Sequence, residues 1–324
     1  MSVKGNVNMD KSINIIIPYF GEFPNYFQLF LNSCWRNSTV NWTIITDNTK
    51  VYRYPENVRV IQMTFGEIKE RIQQKFDFEV VVPNAHKLCE YKPAYAYIFP
   101  ELVEDYDFWG YGDIDLIYGD IRKFVTDDLL SQYDKIFTLG HLTLVKNSKR
   151  NNELFMEAVD NVSLFRQAFS SPQNYNFDEQ FGNKPNINTI FINQGYKVWT
   201  TSYAADIYTK SSDFRLDMGD GSAEDKKTAV FVWNNGKIYR YICDGQEILE
   251  QEYLYIHLQK RKMNVCVDED QSVIKIIPNE FTNLEIPIDN VRKDFKKIKK
   301  KKCNLQYFRI RYKNLKVKLK MKFR

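Results

Sequence analysis

Two carboxylates one residue apart, Asp113 and Asp115, stand inside the run Asp107-Phe-Trp-Gly-Tyr-Gly-Asp-Ile-Asp-Leu-Ile-Tyr-Gly-Asp120. Tyr106, Phe108, Trp109 and Tyr111 predict a buried strand, and glycines break it where the two carboxylates appear. Gly110, Gly112 and Gly119 allow backbone conformations that a side chain would forbid and let a bulky ligand approach closely. Two hard oxygen ligands beside an open, glycine-lined space suit Mn²⁺ or Mg²⁺ that substrate phosphates also hold, because such an ion keeps few protein ligands. A solvated turn closing a strand is the plain alternative for any Asp-X-Asp. The flanking aromatics, the glycines and a third acid at Asp120 are more than such a turn needs.

The preceding chain has the periodicity of a scaffold for that strand. Ile13-Asn-Ile-Ile-Ile-Pro18 is a short apolar run of the kind that forms a buried parallel strand. Tyr19-Phe-Gly21 opens a loop before a helical stretch to about Asn37. Ligands of open α/β sheets bind at the carboxyl ends of strands, which makes Tyr19 and Phe20 candidates to pack on a nucleobase, with a core role as the alternative. Trp42-Thr-Ile-Ile-Thr46 ends at Asp47, whose carboxylate could accept from a base or ribose or serve a turn. Val58 to Met63 alternates as a third strand, and Thr64 with Glu67 has the spacing of a capping box opening a helix to about Phe76. Strand, helix, strand, helix implies a parallel sheet. A helix from about Ala94 to Val103 then delivers the chain to the Asp-X-Asp strand, placing Lys92 at its start, where an ammonium could meet a phosphate or sugar. His86 has no partner pattern and reads as structural.

Beyond Asp120, Lys135 to Leu139 and Leu142 to Val145 read as strands joined at Gly140-His141, and Asn151 to Ala168 has the periodicity of a covering helix. Asp178 and Glu179 could orient or deprotonate a hydroxyl, or sit in a helix N-terminal turn where the dipole favours acids. From Val198 the pattern is strand-rich. Val230 to Trp233, Asn234-Asn-Gly236 and Lys237 to Ile242 form a hairpin signal, because Asn-Gly suits a primed turn. Tyr253-Leu-Tyr-Ile-His257 brings His257 to the end of an apolar segment, beside Lys260, Arg261 and Lys262. Combined with Asp113 and Asp115, it offers a neutral imidazole to a metal and cations to a leaving diphosphate, with a plain surface turn as the alternative.

Composition excludes several classes. No Gly-X-Gly-X-X-Gly or Gly-Lys-Ser/Thr loop occurs, against a dinucleotide fold or a P-loop ATPase. The five cysteines are an odd number and lack Cys-X-X-Cys spacing, so neither a disulfide framework nor a zinc site is indicated by them and a reduced, cytoplasmic setting is expected. Met1 to Asp10 is polar, unlike a signal peptide, and no apolar run approaches the ~20 residues of a spanning helix. Charge divides the chain: residues 291 to 324 hold 16 Lys or Arg against one acid, while the remainder carries 30 basic and 40 acidic residues. The expected organisation is therefore a catalytic body over 1–290 and a basic tail over 291–324. Alternating apolar and basic residues from Leu315 to Phe323 suit an anionic membrane surface, which implies peripheral attachment at the inner face, with a solvated tail as the alternative.

The run Trp109-Gly-Tyr-Gly-Asp-Ile-Asp-Leu-Ile-Tyr-Gly-Asp120 resembles the Asp-X-Asp segment of GT-A-type glycosyltransferases, in particular a bacterial family encoded with capsule and surface-polysaccharide genes. Similar pieces are Ile16-Ile-Pro-Tyr-Phe-Gly21, Lys87-Leu-Cys-Glu-Tyr-Lys-Pro93, Gly140-His-Leu-Thr143, Asp178-Glu179 and His257-Leu-Gln-Lys-Arg261, spread over roughly residues 13 to 262. The resemblance implies an α/β, mostly parallel sheet flanked by helices with a strand-rich C-terminal part. It implies transfer of a sugar, in the first instance from a UDP-hexose, to a glycan or lipid-linked glycan acceptor. Asp113, Asp115 and, by analogy with glycogenin-like relatives, His257 would hold Mn²⁺ or Mg²⁺. Tyr19, Phe20, Asp47, Lys92, Asp113 and His141 would meet the donor, and Lys260 would assist the leaving diphosphate. With inversion, Asp178 or Glu179 is the base; with retention, to which the glycogenin-like similarity points, they position the acceptor. A metal-dependent phosphohydrolase using the same acids, or a nucleic-acid binder using the tail, are the competing classes, the latter without a recognisable nucleic-acid fold.

Overall fold

In the computed structural model, residues 10–209 and 213–284 are described, together with residues 293, 308, 309, 312, 315, 316 and 319. The basic tail and its expected membrane contact therefore lie almost wholly outside the described residues. The chain is mixed α/β. Strand β1 (Ile13–Pro18) is followed by helix α1 (Phe27–Trp35), β2 (Val40–Thr46), β3 (Val58–Gln62), helix α2 (Phe65–Gln73), β4 (Phe108–Gly112), β5 (Leu116–Tyr118), β6 (Lys135–Ile136) and β7 (Leu142–Lys146). With β8 (Val198–Trp199), these strands other than β5 make a seven-stranded sheet of order β3-β2-β1-β4-β7-β6-β8. The first four strands in that order are mutually parallel, and β7 runs antiparallel to β4. A parallel sheet covered on both faces explains the unbroken apolar sequence of β1. Ile13, Ile15 and Ile17 join one core with Trp42, Ile44 and α1, while Ile16 joins the other with Ile45, Trp109 and Tyr111.

The remaining strands are β9 (Ala204–Asp206), β10 (Thr228–Asn234), β11 (Lys237–Asp244), β12 (Glu247–Tyr253), β13 (Tyr255–His257), β14 (Asn264–Cys266), β15 (Val273–Ile277) and β16 (Glu280–Asn283). A six-stranded sheet has the order β12-β11-β10-β15-β16-β14, and a small third sheet has β5-β13-β9. The expected hairpin is β10–β11, with Asn235 and Gly236 both at positive φ, as a primed turn requires. Thr64 caps α2 in a complete capping box with Glu67.

Four local expectations are corrected. The stretch from Asn151 to Ala168 is not one helix: short helices at Lys149–Glu153 and Leu164–Phe169 flank a turn where Asp160 and Asn161 both take left-handed φ, a conformation no α-helix tolerates. Lys92 is not at the start of an Ala94–Val103 helix but in the last turn of a 3₁₀ segment, Ala85–Ala94, with only Tyr95–Ile98 α-helical after it. Asp120 is no third site acid, since its side chain caps the helix Ile121–Phe124 by accepting from Lys123 N. Gly110 and Gly119 make room for neighbouring backbone rather than for a ligand: a Cβ would meet Thr143 O at 2.5 Å and Tyr253 O at 2.6 Å, respectively.

Candidate functional site

The common direction of β1, β2 and β4 brings their carboxyl ends to one edge of the sheet, where Tyr19, Asp47 and Asp113 follow the last strand residues. Asp113 and Asp115 occupy the short connection between β4 and β5. Strand β13 pairs with β5 with His257 opposite Leu116, which carries the imidazole back to that connection. His257 Nε2 lies 3.5 Å from Asp115 Oδ2. One ligand atom from each of Asp113, Asp115 and His257 lies within 4.8 Å of the others.

His257 is also opposite Asp206 of β9 in a parallel register, and its Nδ1 is 2.9 Å from Asp206 Oδ1. Burial would lower the pKa of this imidazole, but the adjoining carboxylates of Asp115 and Asp206 outweigh it and push it up to about 10. His257 is thus a buried cation between two carboxylates. Asp115 shows the converse: burial would raise its carboxyl, yet the His257 charge and the Lys260 N–H hold it well below the usual range. That N–H reaches Asp115 Oδ2 across 2.5 Å because Gln259 and Lys260 both adopt left-handed φ, folding the backbone around the carboxylate.

On the opposite side, buried Lys92 donates from Nζ to Asp113 Oδ1 at 2.7 Å and to Gly140 O at 2.9 Å, and lies 3.7 Å from Asp178 Oδ2. Its ammonium therefore serves protein acceptors rather than waiting at a helix start for a phosphate. Asp178 packs against Gly140 so closely that a Cβ there would collide with its Oδ2, and Glu179 Oε2 accepts the Gly140 N–H at 3.1 Å. Burial raises the Asp178 carboxyl well above its ordinary value despite the attraction of Lys92. The pair sits in a turn rather than in a helix N-terminus. Buried Glu90 holds that turn by accepting the backbone N–H groups of Tyr175, Asn176 and Phe177.

The other expected residues are distributed around this centre. Tyr19 packs against Phe23 with the rings tilted by 34°, and its hydroxyl is made less acidic by burial and then by the charges of Asp115 and Asp113. Phe20 packs on Phe65, and Asp47 Oδ1 accepts the Gly21 N–H at 2.8 Å, so both shape the loop after β1. The Lys260 side chain is exposed. His141, expected to touch a sugar, is buried: Tyr255 OH lies 2.6 Å from its Nδ1 and Asp206 Oδ2 3.8 Å from its Nε2. Burial and the nearby His257 charge lower its pKa to about 4, keeping it neutral. Asp206, Glu90 and Gln259, whose Nε2 donates to Asp206 Oδ1 at 2.6 Å, are site residues that sequence reasoning missed. Glu90 lies inside the Lys87–Pro93 similarity segment, which was a usable signal; an acid after two alanines was none.

The donor set fits a hard divalent ion. Lys92 and Lys260 occupy only one oxygen of each aspartate, leaving Asp113 Oδ2 and Asp115 Oδ1 without a protein donor among the described residues. The positive charge carried by His257 marks a place where a metal's charge can replace a proton's.

No curated protein matches this chain in sequence. Among solved structures it is similar to the galactosyltransferase LgtC in complex with donor and acceptor sugar analogues, at 10% identity and TM-score 0.36 over 60% of this chain and 76% of that one. It is also similar to mouse xyloside xylosyltransferase 1, at 8% identity and TM-score 0.37 over 61% and 88% of the two chains. A third similarity is to the glycosyltransferase GlyE of Streptococcus pneumoniae, at 13% identity and TM-score 0.29 over 61% of this chain and 46% of that one. The sequence model of a family of unknown function, DUF6625, matches residues 15–285, and the chain therefore belongs to that family.

Proposed function

We propose that this protein is a GT-A-type glycosyltransferase that moves a sugar from a nucleoside diphosphate donor, a UDP-hexose in the first instance, to a hydroxyl of a surface glycan. The observation that carries the reading is the convergence of Asp113, Asp115 and His257 at the carboxyl edge of a parallel sheet. These three side chains would hold Mn²⁺ or Mg²⁺, which when bound supplies neutralising charge for a departing diphosphate. Lys92 fixes Asp113, and the left-handed turn at Gln259–Lys260 fixes Asp115, so the ligands are held before the donor arrives. The exposed Lys260 ammonium is available to the same diphosphate. Tyr19, Phe20 and Asp47 line the strand ends where the nucleoside would lie. Asp178 and Glu179 would meet the acceptor hydroxyl from the turn beside Gly140, with burial raising the Asp178 carboxyl well above its ordinary value.

The basic tail over 291–324 would hold the catalytic body on an anionic membrane surface, close to lipid-linked acceptors. Deleting it should release the protein from anionic vesicles at low salt without changing turnover on a soluble acceptor.

The decisive experiment is incubation of the full chain with a panel of nucleotide sugars and Mn²⁺, reading free nucleoside diphosphate and glycosylated acceptor. Diphosphate release with one donor, increased by an acceptor and abolished by EDTA, is expected. Release of inorganic phosphate from simple esters, with no donor turned over, would instead establish a phosphohydrolase.

A further inference from the structure

We propose that His141, Asp206 and His257 form a second metal site, for a divalent transition ion of the zinc type, on the opposite edge of the His257 ring from Asp115. One ligand atom from each of the three lies within 4.8 Å of the others. The two imidazole rings are 4.5 Å apart at their centroids and tilted by 32°, with the Asp206 carboxylate beside both. The feature that points to a ligand is His141 Nε2. It belongs to a residue only 4% exposed and has no hydrogen-bond partner among the described residues, although Asp206 Oδ2 faces it at 3.8 Å. That gap is too long for a hydrogen bond. It is close to the ~3.4 Å that separates two ligands of a tetrahedral ion with metal–ligand bonds of about 2.0–2.2 Å.

The surroundings already have the form of an outer ligand shell. Tyr255 OH lies 2.6 Å from His141 Nδ1, and in the tautomer that donates the Nδ1 proton to the Tyr255 oxygen, the Nε2 lone pair faces Asp206. Gln259 Nε2 donates to Asp206 Oδ1 at 2.6 Å and orients the carboxylate. The Asp206 side chain, 20% exposed, gives an ion its way in. Two imidazoles and one carboxylate suit Zn²⁺ or Co²⁺, whereas the two-carboxylate group of Asp113 and Asp115 suits Mn²⁺ or Mg²⁺. An ion on Nδ1 leaves the other ring nitrogen, Nε2, facing Asp115 Oδ2 at 3.5 Å. A neutral imidazole has one lone pair, so His257 serves one ion at a time and the two sites compete for it.

The test measures Zn²⁺ and Mn²⁺ affinities of the full chain and of His141→Ala and Asp113→Asn. His141→Ala should weaken Zn²⁺ by about tenfold or more while leaving Mn²⁺ within about twofold, and Asp113→Asn should do the reverse. Unchanged Zn²⁺ affinity in folded His141→Ala, with loss in Asp113→Asn, would overturn the proposal: His141 and Asp206 would then only orient His257. If His141→Ala does not fold, X-ray absorption at the zinc edge of Asp113→Asn loaded with one equivalent decides. Scattering from two imidazoles is expected, and one or none overturns it. Neither readout depends on sugar transfer, so the second site can fail while the glycosyltransferase reading stands, and conversely.

Discussion

Lys92 Nζ donates to Asp113 Oδ1 across 2.7 Å, so a buried ammonium anchors one of the two closely spaced carboxylates before any ligand arrives. Burial alone would lower the pKa of this lysine, but Asp113 and Asp178 raise it well above its ordinary value. Lys92→Met keeps the length of the side chain and removes the charge, leaving Asp178 and Gly140 O without their partner. Removing one member of a buried ion pair typically costs about 3–5 kcal/mol. With Asp113 part-exposed, we expect the lower end, on the order of 3 kcal/mol, read from urea unfolding midpoints. An unchanged midpoint would mean the ammonium is not needed by its acceptors.

Asp113 and Asp115 should respond differently to the same substitution. Asp113 is the more exposed of the two and, among the described residues, its side chain receives only Lys92, which keeps its bond to Gly140 O, so Asp113→Asn should lower the melting temperature less than Asp115→Asn while Mn²⁺-supported turnover falls by on the order of 10²-fold or more. Asp115 is buried and receives both His257 and the Lys260 N–H, so Asp115→Asn should lose stability as well as activity. Full turnover in both variants, or in excess EDTA, would sink the proposed metal site.

The legible parts of this chain are those whose cause is local. The apolar runs of β1 and β4, the Thr64–Glu67 capping box and the Asn235-Gly236 turn each follow from residues within a few positions of one another. Asp113 and Asp115 were legible for the same reason. His257 is 142 positions beyond Asp115; its place at the end of an apolar segment made it a candidate, and only a resemblance joined it to the aspartates as a third ligand. Asp206 was not legible, since it meets His257 across 51 positions, and Glu90, which meets the turn before Asp178 across 85 to 87, had only its place in the Lys87–Pro93 segment as a signal. The false continuity of Asn151 to Ala168 has a physical origin too, since apolar spacing survives a two-residue left-handed turn that the helix does not.

Glu90→Gln should separate acceptor chemistry from metal binding. The Glu90 carboxylate receives the N–H groups of Tyr175 at 2.6 Å, Asn176 at 3.0 Å and Phe177 at 3.1 Å, and so fixes the turn that presents Asp178 and Glu179. Hydrogen bonds to a charged group contribute roughly 1.5–3 kcal/mol each, and an amide can accept with one oxygen only. The expected result is a roughly tenfold fall in kcat, with metal affinity and donor KM unchanged. A parallel loss of metal affinity would show that the turn and the aspartate pair move as one unit.

The last prediction concerns pH and a lysine remote from the proposed ligands. Lys135 is fully buried, with Nζ bonded to Asn188 Oδ1 at 2.7 Å and Phe137 O at 2.6 Å, two acceptors that match the two N–H bonds of a neutral amine. Burial lowers its pKa to about 7, against a smaller opposing pull from Asp178. An unfolded lysine keeps its proton until about pH 10.4. Between those values the unfolded chain binds the additional proton, so this group makes stability rise with pH from about 7 towards 10.4, and it contributes no slope below 7. Between pH 6.5 and 9 the expected gain is on the order of 2–3 kcal/mol. Lys135→Met removes that slope. It also strands two acceptors, but this cost is the same at every pH and shifts the whole curve downward. Urea unfolding of both proteins across that range should give a wild-type curve that climbs relative to the variant. Parallel curves would show that Lys135 is protonated in the folded state throughout.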